Sequence, residues 1–303
     1  VSKPFSITTA PQYPRPFTQI TVTPLSGSLS VTNATMVVEV DGKKTYEGNA
    51  SPISVPVGQL GTVTNIKVTL SSQGTKYPMT VSVRPQDLSL IVEPNSSAPP
   101  LYLGKGLIPA DGSARIVAVA NLRDAKNKPV QPSSISYTWT IDDVRMDTAS
   151  GIGRDSIVVA TPQRYRSSDI SVVAQSLDGQ ISTADTVSLD PQDSMVRIYE
   201  MDPLLGILFD RAIGGSVSLA AAQKTFYGAQ YSFPTANGVP ILRWFLNGTA
   251  AQTGPLITLR PTGAGSGSAS LSLTGSGEEG VTANAQTTVQ FGSKSSGLGI
   301  FGL

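Results

Sequence analysis

Apolar and polar residues alternate with a period of two along much of this chain. Ile66-Lys-Val-Thr-Leu70, Thr80-Val-Ser-Val83, Ile170-Ser-Val172 and Ser270-Leu-Ser-Leu-Thr274 each read as a half-buried strand, apolar on one face and polar on the other. Gly, Pro, Asn or Asp bound these runs, and such residues favour turns. Helical periodicity is weak. Asp202-Pro203 has the form of an N-cap followed by Pro at the first helical position. The run onward to Ala212 is broken by Gly206 and followed by Gly214-Gly215. It reads as strand and turn, with a short helix as the alternative. Short strands with turn signals every ~8–12 residues predict an all-β chain of β-sandwiches.

The pattern repeats over a longer distance. Val38-Glu-Val-Asp-Gly42, Trp139-Thr-Ile-Asp-Asp143 and Trp244-Phe-Leu-Asn-Gly248 share a large apolar residue, any residue, an aliphatic one and a turn pair. Their anchors stand at 38, 139 and 244, hence 101 and 105 residues apart. A second marker agrees: Arg84-Pro-Gln-Asp87 leads to Ile91-Val-Glu93, Asp190-Pro-Gln-Asp193 leads to Ile198-Tyr-Glu200, and Pro85 and Pro191 are 106 apart. A period near one hundred means tandem domains, not a solenoid of short units. The expected division is a sandwich over 1–85, a second over 86–191, a third over 192–291, and a Gly/Ser linker with an apolar tail over 292–303. The junctions are short, so neighbouring domains are expected to pack end to end with limited freedom.

Tyr137-Thr-Trp139 followed by an Asx turn resembles the Tyr-x-Trp strand of immunoglobulin-like domains of the PKD type (named for polycystic kidney disease), and Leu242-Arg-Trp-Phe-Leu-Asn-Gly248 resembles it too. The resemblance implies that Trp139 and Trp244 lie in sandwich cores. The first domain departs from it, with Val38 in place of the Trp. A wider resemblance rests on Leu88-Ser-Leu-Ile-Val-Glu93, Pro99-Pro-Leu-Tyr-Leu-Gly-Lys105 and Ile198-Tyr-Glu-Met-Asp-Pro-Leu-Leu-Gly206 followed by Arg243–Gly248. These stretches are similar to tandem-sandwich exported proteins of candidate-phyla (ultra-small) bacteria. That similarity implies export and a cell-envelope or extracellular setting, and it carries over no catalytic residue.

Composition narrows the chemistry. The chain has 303 residues, no Cys and no His. Thiol catalysis, Cys or His zinc sites, Ser-His-Asp triads and His general bases are therefore excluded, and a non-enzyme is expected. Charged residues are 14%, below the roughly 25% usual for soluble proteins. Net charge is +1 and the 22 basic residues do not cluster in sequence, so neither a nucleic-acid stripe nor a basic membrane patch is expected. No apolar run reaches the ~18 residues of a transmembrane span. The chain opens Val1-Ser-Lys-Pro4, read as a mature protein after signal-peptide removal.

Each candidate site has a structural counterpart. Trp139 and Trp244 could be sugar platforms, but recurrence at one strand position favours core anchors alongside Val38. Asp142 and Asp143, with Asp147 and Asp155 nearby, could converge on Ca2+ through turn oxygens. Their counterparts Asp41-Gly42 and Asn247-Gly248 are hairpin dipeptides, which favours turn chemistry. No cofactor is expected, with Ca2+ at Asp142, Asp143 and Asp147 as the exception to test. Glu278-Glu279 read as a hairpin tip between Ser270–Leu273 and Val281–Ala285. Gly263–Gly267 lacks the Lys and helix of a phosphate loop. Asn33, Asn49, Asn95 and Asn247 fit the glycan-acceptor pattern, which Ser/Thr-rich sequence matches often.

The apolar end, with Leu298, Ile300, Phe301 and Leu303, is the expected assembly element. It is too short to span a bilayer, and exposed apolar clusters mark contacts. Docking on its own domain, strand addition to a neighbour and an export signal all remain open. The leading expectation is a non-enzymatic exported rod of sandwiches, self-assembling as a surface-layer or filament subunit or contacting a neighbouring envelope protein. The second is an adhesin for surface glycan or host protein, binding through loops such as Thr148–Arg154 or Gly277–Gly280. An accessory part of a pilus or secretion machine is a third.

Overall fold

The computed structural model describes residues 4–219, 223–262, 265–277 and 280–292. Regular structure among them is β-strand, with a short 3-10 turn at Pro132–Ser134 and no α-helix.

In the first stretch, strands β1 (Phe5–Ala10), β2 (Gln19–Ser26), β3 (Thr35–Val40), β4 (Lys43–Asn49), β5 (Ile53–Pro56), β6 (Thr64–Ser72) and β7 (Thr75–Val83) make two sheets, ordered β1-β2-β5 and β4-β3-β6-β7. The period-2 pattern decides which face is buried. On β6, Thr64, Ile66, Val68 and Leu70 point inward while Asn65 and Lys67 face solvent. Ile66, Val68 and Leu70 pack with Phe5, Ile20, Val22, Met36, Val38 and Val55 in one core. Each large aliphatic side chain buried in this way stabilises by about 1.5–3 kcal/mol.

The second stretch holds β8 (Asp87–Pro94), β9 (Ser113–Asn121), β10 (Ile135–Ile141), β11 (Val144–Arg145), β12 (Gly151–Ile152), β13 (Ser156–Ala160), β14 (Ser168–Ser176) and β15 (Ser182–Leu189), in sheets β13-β9-β8 and β11-β10-β14-β15, with β12 also on β10. The third holds β16 (Met195–Asp202), β17 (Gly206–Ile207), β18 (Ser216–Leu219), β19 (Lys224–Tyr231), β20 (Ile241–Leu246), β21 (Thr249–Thr253), β22 (Leu256–Leu259), β23 (Gly267–Ser276) and β24 (Thr282–Phe291), in sheets β17-β16-β19-β22 and β18-β24-β23-β20-β21. Asp202 ends β16 and opens the turn to β17, so this segment is strand and turn, not helix.

One strand order occurs three times: β4-β3-β6-β7, β11-β10-β14-β15 and β21-β20-β23-β24. The sequence anchors occupy the same place in each. Val38 faces Val68, Trp139 faces Val172 and Trp244 faces Leu273 across the adjoining strand, and all three anchors are fully buried. Each indole satisfies its N–H on a carbonyl further along the chain: Trp139 donates to Arg154 O at 2.8 Å and Trp244 to Gly254 O at 3.0 Å. Trp244 needs a glycine opposite it. A Cβ on Gly228 of β19 would stand 2.6 Å from Leu273 Cδ2 and 3.1 Å from Trp244 Cζ2, a contact that a close-packed interior does not accept.

Among the described residues the chain divides into two compact units. The first runs to Ile91 and takes in Val117–Ile157 and Asp169–Val187. The second takes in Val92–Ile116 and Val158–Ser168 and continues from Ser188. Pro85 lies inside the first unit and Pro191 inside the second, so the chain does not pass through a loose linker at either. Within the first, the Gln86 side chain spans the main chain of Arg123, donating to its O at 3.2 Å and accepting from its N–H at 2.7 Å. Within the second, Gln192 N–H donates to Ile108 O at 2.8 Å.

Candidate functional site

The three turn pairs are built alike. Asp41-Gly42, Asp142-Asp143 and Asn247-Gly248 have positive φ at both positions: 47° and 81°, 47° and 65°, 47° and 79°. These are the two-residue turns whose twist matches the flanking strands, and Asn, Asp and Gly tolerate that backbone best. The first residue also reaches sideways. Asp41, Asp142 and Asn247 each donate N–H to a carbonyl on the adjoining strand, of Asn65, Asp169 and Ser270, at 2.9, 2.9 and 2.8 Å. Their Oδ1 atoms accept the N–H of the same residues at 2.8, 2.8 and 2.9 Å.

That geometry bears on the calcium candidates. Asp142 Oδ1 is engaged by the Asp169 N–H, and Asp147 forms an ion pair with Arg145 at 2.7 Å. Asp142, Asp143 and Asp147 do not come together, and among the described residues no three acidic groups cluster closely enough to hold a metal ion. The loop Thr148–Arg154 is committed to its own sandwich as well. Ser150 Oγ accepts the Trp139 N–H at 3.0 Å, Gly151 and Ile152 pair with β10, and Arg154 O holds the indole. Of the acceptor asparagines, Asn95 donates to Ser113 Oγ at 2.8 Å and Asn247 sits in its hairpin. β23 and β24 form the expected hairpin, pairing up to Ser276 and Thr282. Glu278, Glu279, Gly263 and the assembly residues Leu298, Ile300, Phe301 and Leu303 lie outside the described residues.

The second unit carries a feature that the alternation pattern did not bring out. Strands β16 and β19 are apolar on both faces. Val196, Ile198 and Phe226 face the sandwich core with Trp244 and Leu273. On the other face Met195, Tyr199, Tyr227, Ala229 and Tyr231 form a second cluster. The signal was in the sequence: Met195–Tyr199 and Phe226–Tyr231 are runs with little polar alternation, the mark of a strand covered on both sides. They are covered by Ile207, Phe209 and Ala212 from the segment after β16 and by the long connection between β8 and β9. Ser96 and Pro234 form an antiparallel bridge. Ser97 N–H donates to Phe233 O, Ser232 N–H donates to Ser97 O, and Phe233 N–H donates to Ser97 Oγ, at 2.9, 2.9 and 3.1 Å. Ser232, fully buried, donates its hydroxyl to Ile108 O and Gln192 O. Tyr102 then meets Tyr231 edge-on at 6.0 Å, and Leu107 packs on the same cluster.

The aromatic side chains form a chain of contacts. Tyr199 and Tyr231 share a hydroxyl–hydroxyl hydrogen bond of 2.8 Å, and Phe209 stands edge-on to Tyr199 at 5.1 Å and to Tyr227 at 6.0 Å. Burial, and next the bond to Tyr199, pushes the Tyr231 hydroxyl well above the ordinary tyrosine pKa. Around this cluster two tight turns present leucines outward. Leu101 and Leu103 are 88% and 101% exposed, and Leu204 and Leu205 are 94% and 78% exposed. Both turns are fixed. Asp202 Oδ1 accepts the N–H groups of Leu204 and Leu205 at 2.8 and 2.9 Å. Leu101 holds a left-handed backbone, φ 60°, at the turn that closes from Tyr102 N–H to Pro99 O, an unusual conformation for a bulky apolar residue.

No family model matches the chain, and no curated protein matches it. Among solved structures it is similar to the central fibronectin-III array of RIM-binding protein, at 10% identity over 97% of this chain and 98% of that one, with a TM-score of 0.35. It is also similar to the three N-terminal domains of the bacteriophage RB49 highly immunogenic outer capsid protein, at 12% identity over 96% and 99% of the two chains, TM-score 0.26. A third is the Bacteroides ovatus mixed-linkage glucan utilization locus protein SGBP-B in complex with a heptasaccharide, at 14% identity over 94% of this chain and 70% of that one, TM-score 0.22. At these scores the likeness adds nothing to what the sheets show. The chain is a tandem immunoglobulin-like β-sandwich protein. Among the described residues no helix is long and apolar enough to cross a membrane.

Proposed function

We propose that this is a non-enzymatic structural protein of the cell exterior that assembles with further copies of itself through sandwich surfaces and its apolar C-terminal end. The observation that carries the reading is the set of four outward leucines: Leu204 and Leu205 on a turn fixed by Asp202, Leu101 in the turn closed from Tyr102 N–H to Pro99 O, and Leu103 just beyond it. Large apolar side chains held in water on rigid turns cost free energy in a monomer, and a contact that buries them recovers it without ordering a loose loop. Net charge of +1 leaves little long-range repulsion between copies. Absence of His and Cys narrows the routes to catalysis, and export to an envelope setting accords with the resemblance to exported tandem-sandwich proteins.

Sedimentation velocity and negative-stain imaging of the full chain test this. We expect concentration-dependent oligomers that convert to monomer when all four leucines are replaced by Ser, with the thermal midpoint unchanged. Deleting 298–303 separately tests the terminal segment and should also weaken assembly. A wild-type chain that stays monomeric up to high concentration would overturn the proposal.

A further inference from the structure

Three neighbouring hollows on the first unit share lining residues, and we take them together as one candidate groove. The largest, about 610 Å3, is lined by Val63, Arg84, Asp124, Lys126, Lys128 and Gln180 among others. A second of about 280 Å3 shares Ser82, Arg84 and Gln180 with it and adds Gln12, Tyr13 and Gln86. A third of about 460 Å3 shares Gln12 and Tyr13 with the second and adds Arg15, Gln19 and Asp185. We propose that this groove binds an extended acidic polysaccharide, one bearing uronate carboxylates. The site is additional to the assembly reading and stands or falls separately from it.

The charge arrangement is the first argument. The side chains of Arg84, Lys126 and Lys128 make no hydrogen bond and no ion pair among the described residues, although all three line one hollow. The two carboxylates beside them keep their charge, but one oxygen of each is held from within. Asp124 Oδ1 accepts the N–H groups of Lys126 and Lys128, each at 2.8 Å. Asp178 Oδ1 accepts the Ser176 hydroxyl at 2.6 Å and the Gln180 N–H at 3.1 Å. The Lys128 N–H first, then the Lys126 N–H and the two lysine charges, favour the ionised form of Asp124, yet the ammonium groups keep their donors open. An anion entering the hollow meets three charged donors whose bonds to it are of the stronger, charge-assisted kind. Arg15, at the far end, is already paired with Asp185 at 2.8 Å.

Preorganisation is the second. Arg84 stands two residues before Gln86, whose buried amide grips both main-chain groups of Arg123. Lys126 and Lys128 stand just beyond Arg123, in a loop closed by Asp124 N–H to Lys128 O at 2.9 Å and Asn127 N–H to Asp124 O at 3.0 Å. Gly61 lets this loop approach, because a Cβ there would lie 2.4 Å from Arg123 Cβ. The main chain that carries the three cations is therefore set before any ligand arrives, which lowers part of the ordering cost of binding.

The lining between the charges selects the polymer. Gln12, Gln19 and Gln180 offer amides that match sugar hydroxyls, while the hydroxyls of Thr18 and Ser82 donate to Arg15 O and Asn65 Oδ1 and can serve a sugar only as acceptors. Tyr13 is the single aromatic in the walls, whereas single-stranded nucleic acid needs a row of stacking platforms, and a peptide needs apolar pockets or an open edge strand.

Titration calorimetry of the full chain with polygalacturonate oligomers, uncharged galactan oligomers and a single-stranded DNA of equal length is the test. We expect binding of the uronate oligomer that weakens as salt rises, and none of galactan. Arg84→Glu with Lys126→Glu and Lys128→Glu should weaken it by at least about tenfold, while Arg243→Glu, in the other unit, changes nothing. Thermal midpoints for each variant separate a lost site from a lost fold, and Arg84→Gln with Lys126→Gln and Lys128→Gln serves if the reversal misfolds. Failure of the uronate oligomer to bind overturns the proposal, as does equal or tighter binding of the DNA, or equal loss in the Arg243 variant. Each result is independent of whether the chain assembles.

Discussion

A single side chain does two jobs at each hairpin corner. Asp41, Asp142 and Asn247 adopt the left-handed backbone that the turn requires and also return a hydrogen bond to the adjoining strand. Asn in one copy and Asp in two keep the same Oδ1 acceptor with and without a charge, so the acceptor is the feature the three turns share. Asp142→Asn should therefore leave stability within about 0.5 kcal/mol. Asp142→Ala should lower it by about 1–2 kcal/mol, since it leaves the Asp169 N–H without its acceptor and puts a Cβ-bearing residue with no compensating bond at φ 47°. Urea unfolding of both variants checks this; equal losses would mean that charge, not the acceptor, matters. The turn role of Asp142-Asp143 was legible in the sequence because the same pattern recurs at 41 and 247. The sideways hydrogen bond was not, because its partner lies 23 to 27 residues on and alternation fixes the face of a strand but not its neighbour.

At the level of elements, strands and hairpins followed the period-2 pattern closely. Ile66–Leu70, Thr80–Val83, Ile170–Val172 and Ser270–Thr274 all fall inside strands. What pattern reading missed is the connection between β8 and β9. It has no alternation of its own, and its role emerges only where it meets the second apolar face of β16 and β19. Its Pro99–Gly104 turn closes over Tyr231 through Tyr102. Replacing 99–104 with a Gly/Ser stretch in the full chain should open that face. Tyr231, whose burial now holds its pKa far above the ordinary 10.0, should then titrate closer to that value, and binding of an apolar dye should rise. Absorbance titration of the phenolates reads the first effect. A late-titrating tyrosine that survives the replacement would show that Ile207, Phe209 and Ala212 suffice to bury Tyr231 without the connection.

Over the whole molecule, 22 basic and 21 acidic residues nearly cancel, and the balance is uneven in what it does for stability. Exposed pairs such as Lys44–Glu47 and Arg115–Glu93 are screened by salt and contribute little. Three carboxylates behave differently, because backbone N–H groups bind their ionised form. Asp124 is held below the ordinary 3.8 chiefly by the Lys128 N–H, Asp202 chiefly by the Leu205 N–H, and Asp178 first by the Ser176 hydroxyl and then by the Gln180 N–H. A carboxyl whose folded pKa lies below its unfolded value adds stability above the unfolded value. That contribution is lost as pH falls through the folded one. The thermal midpoint should thus be level from neutrality down to about pH 5 and fall below about pH 4, in high salt as well as low, since these bonds are short and local. Changing Asp124, Asp178 and Asp202 to Asn keeps an acceptor at each place but removes the titration. The triple variant should show a shallower acid limb than the wild type in 1 M salt, a condition that suppresses the exposed pairs, to a Debye length of about 3 Å. Superimposable acid limbs for the two proteins would assign the acid sensitivity to other groups.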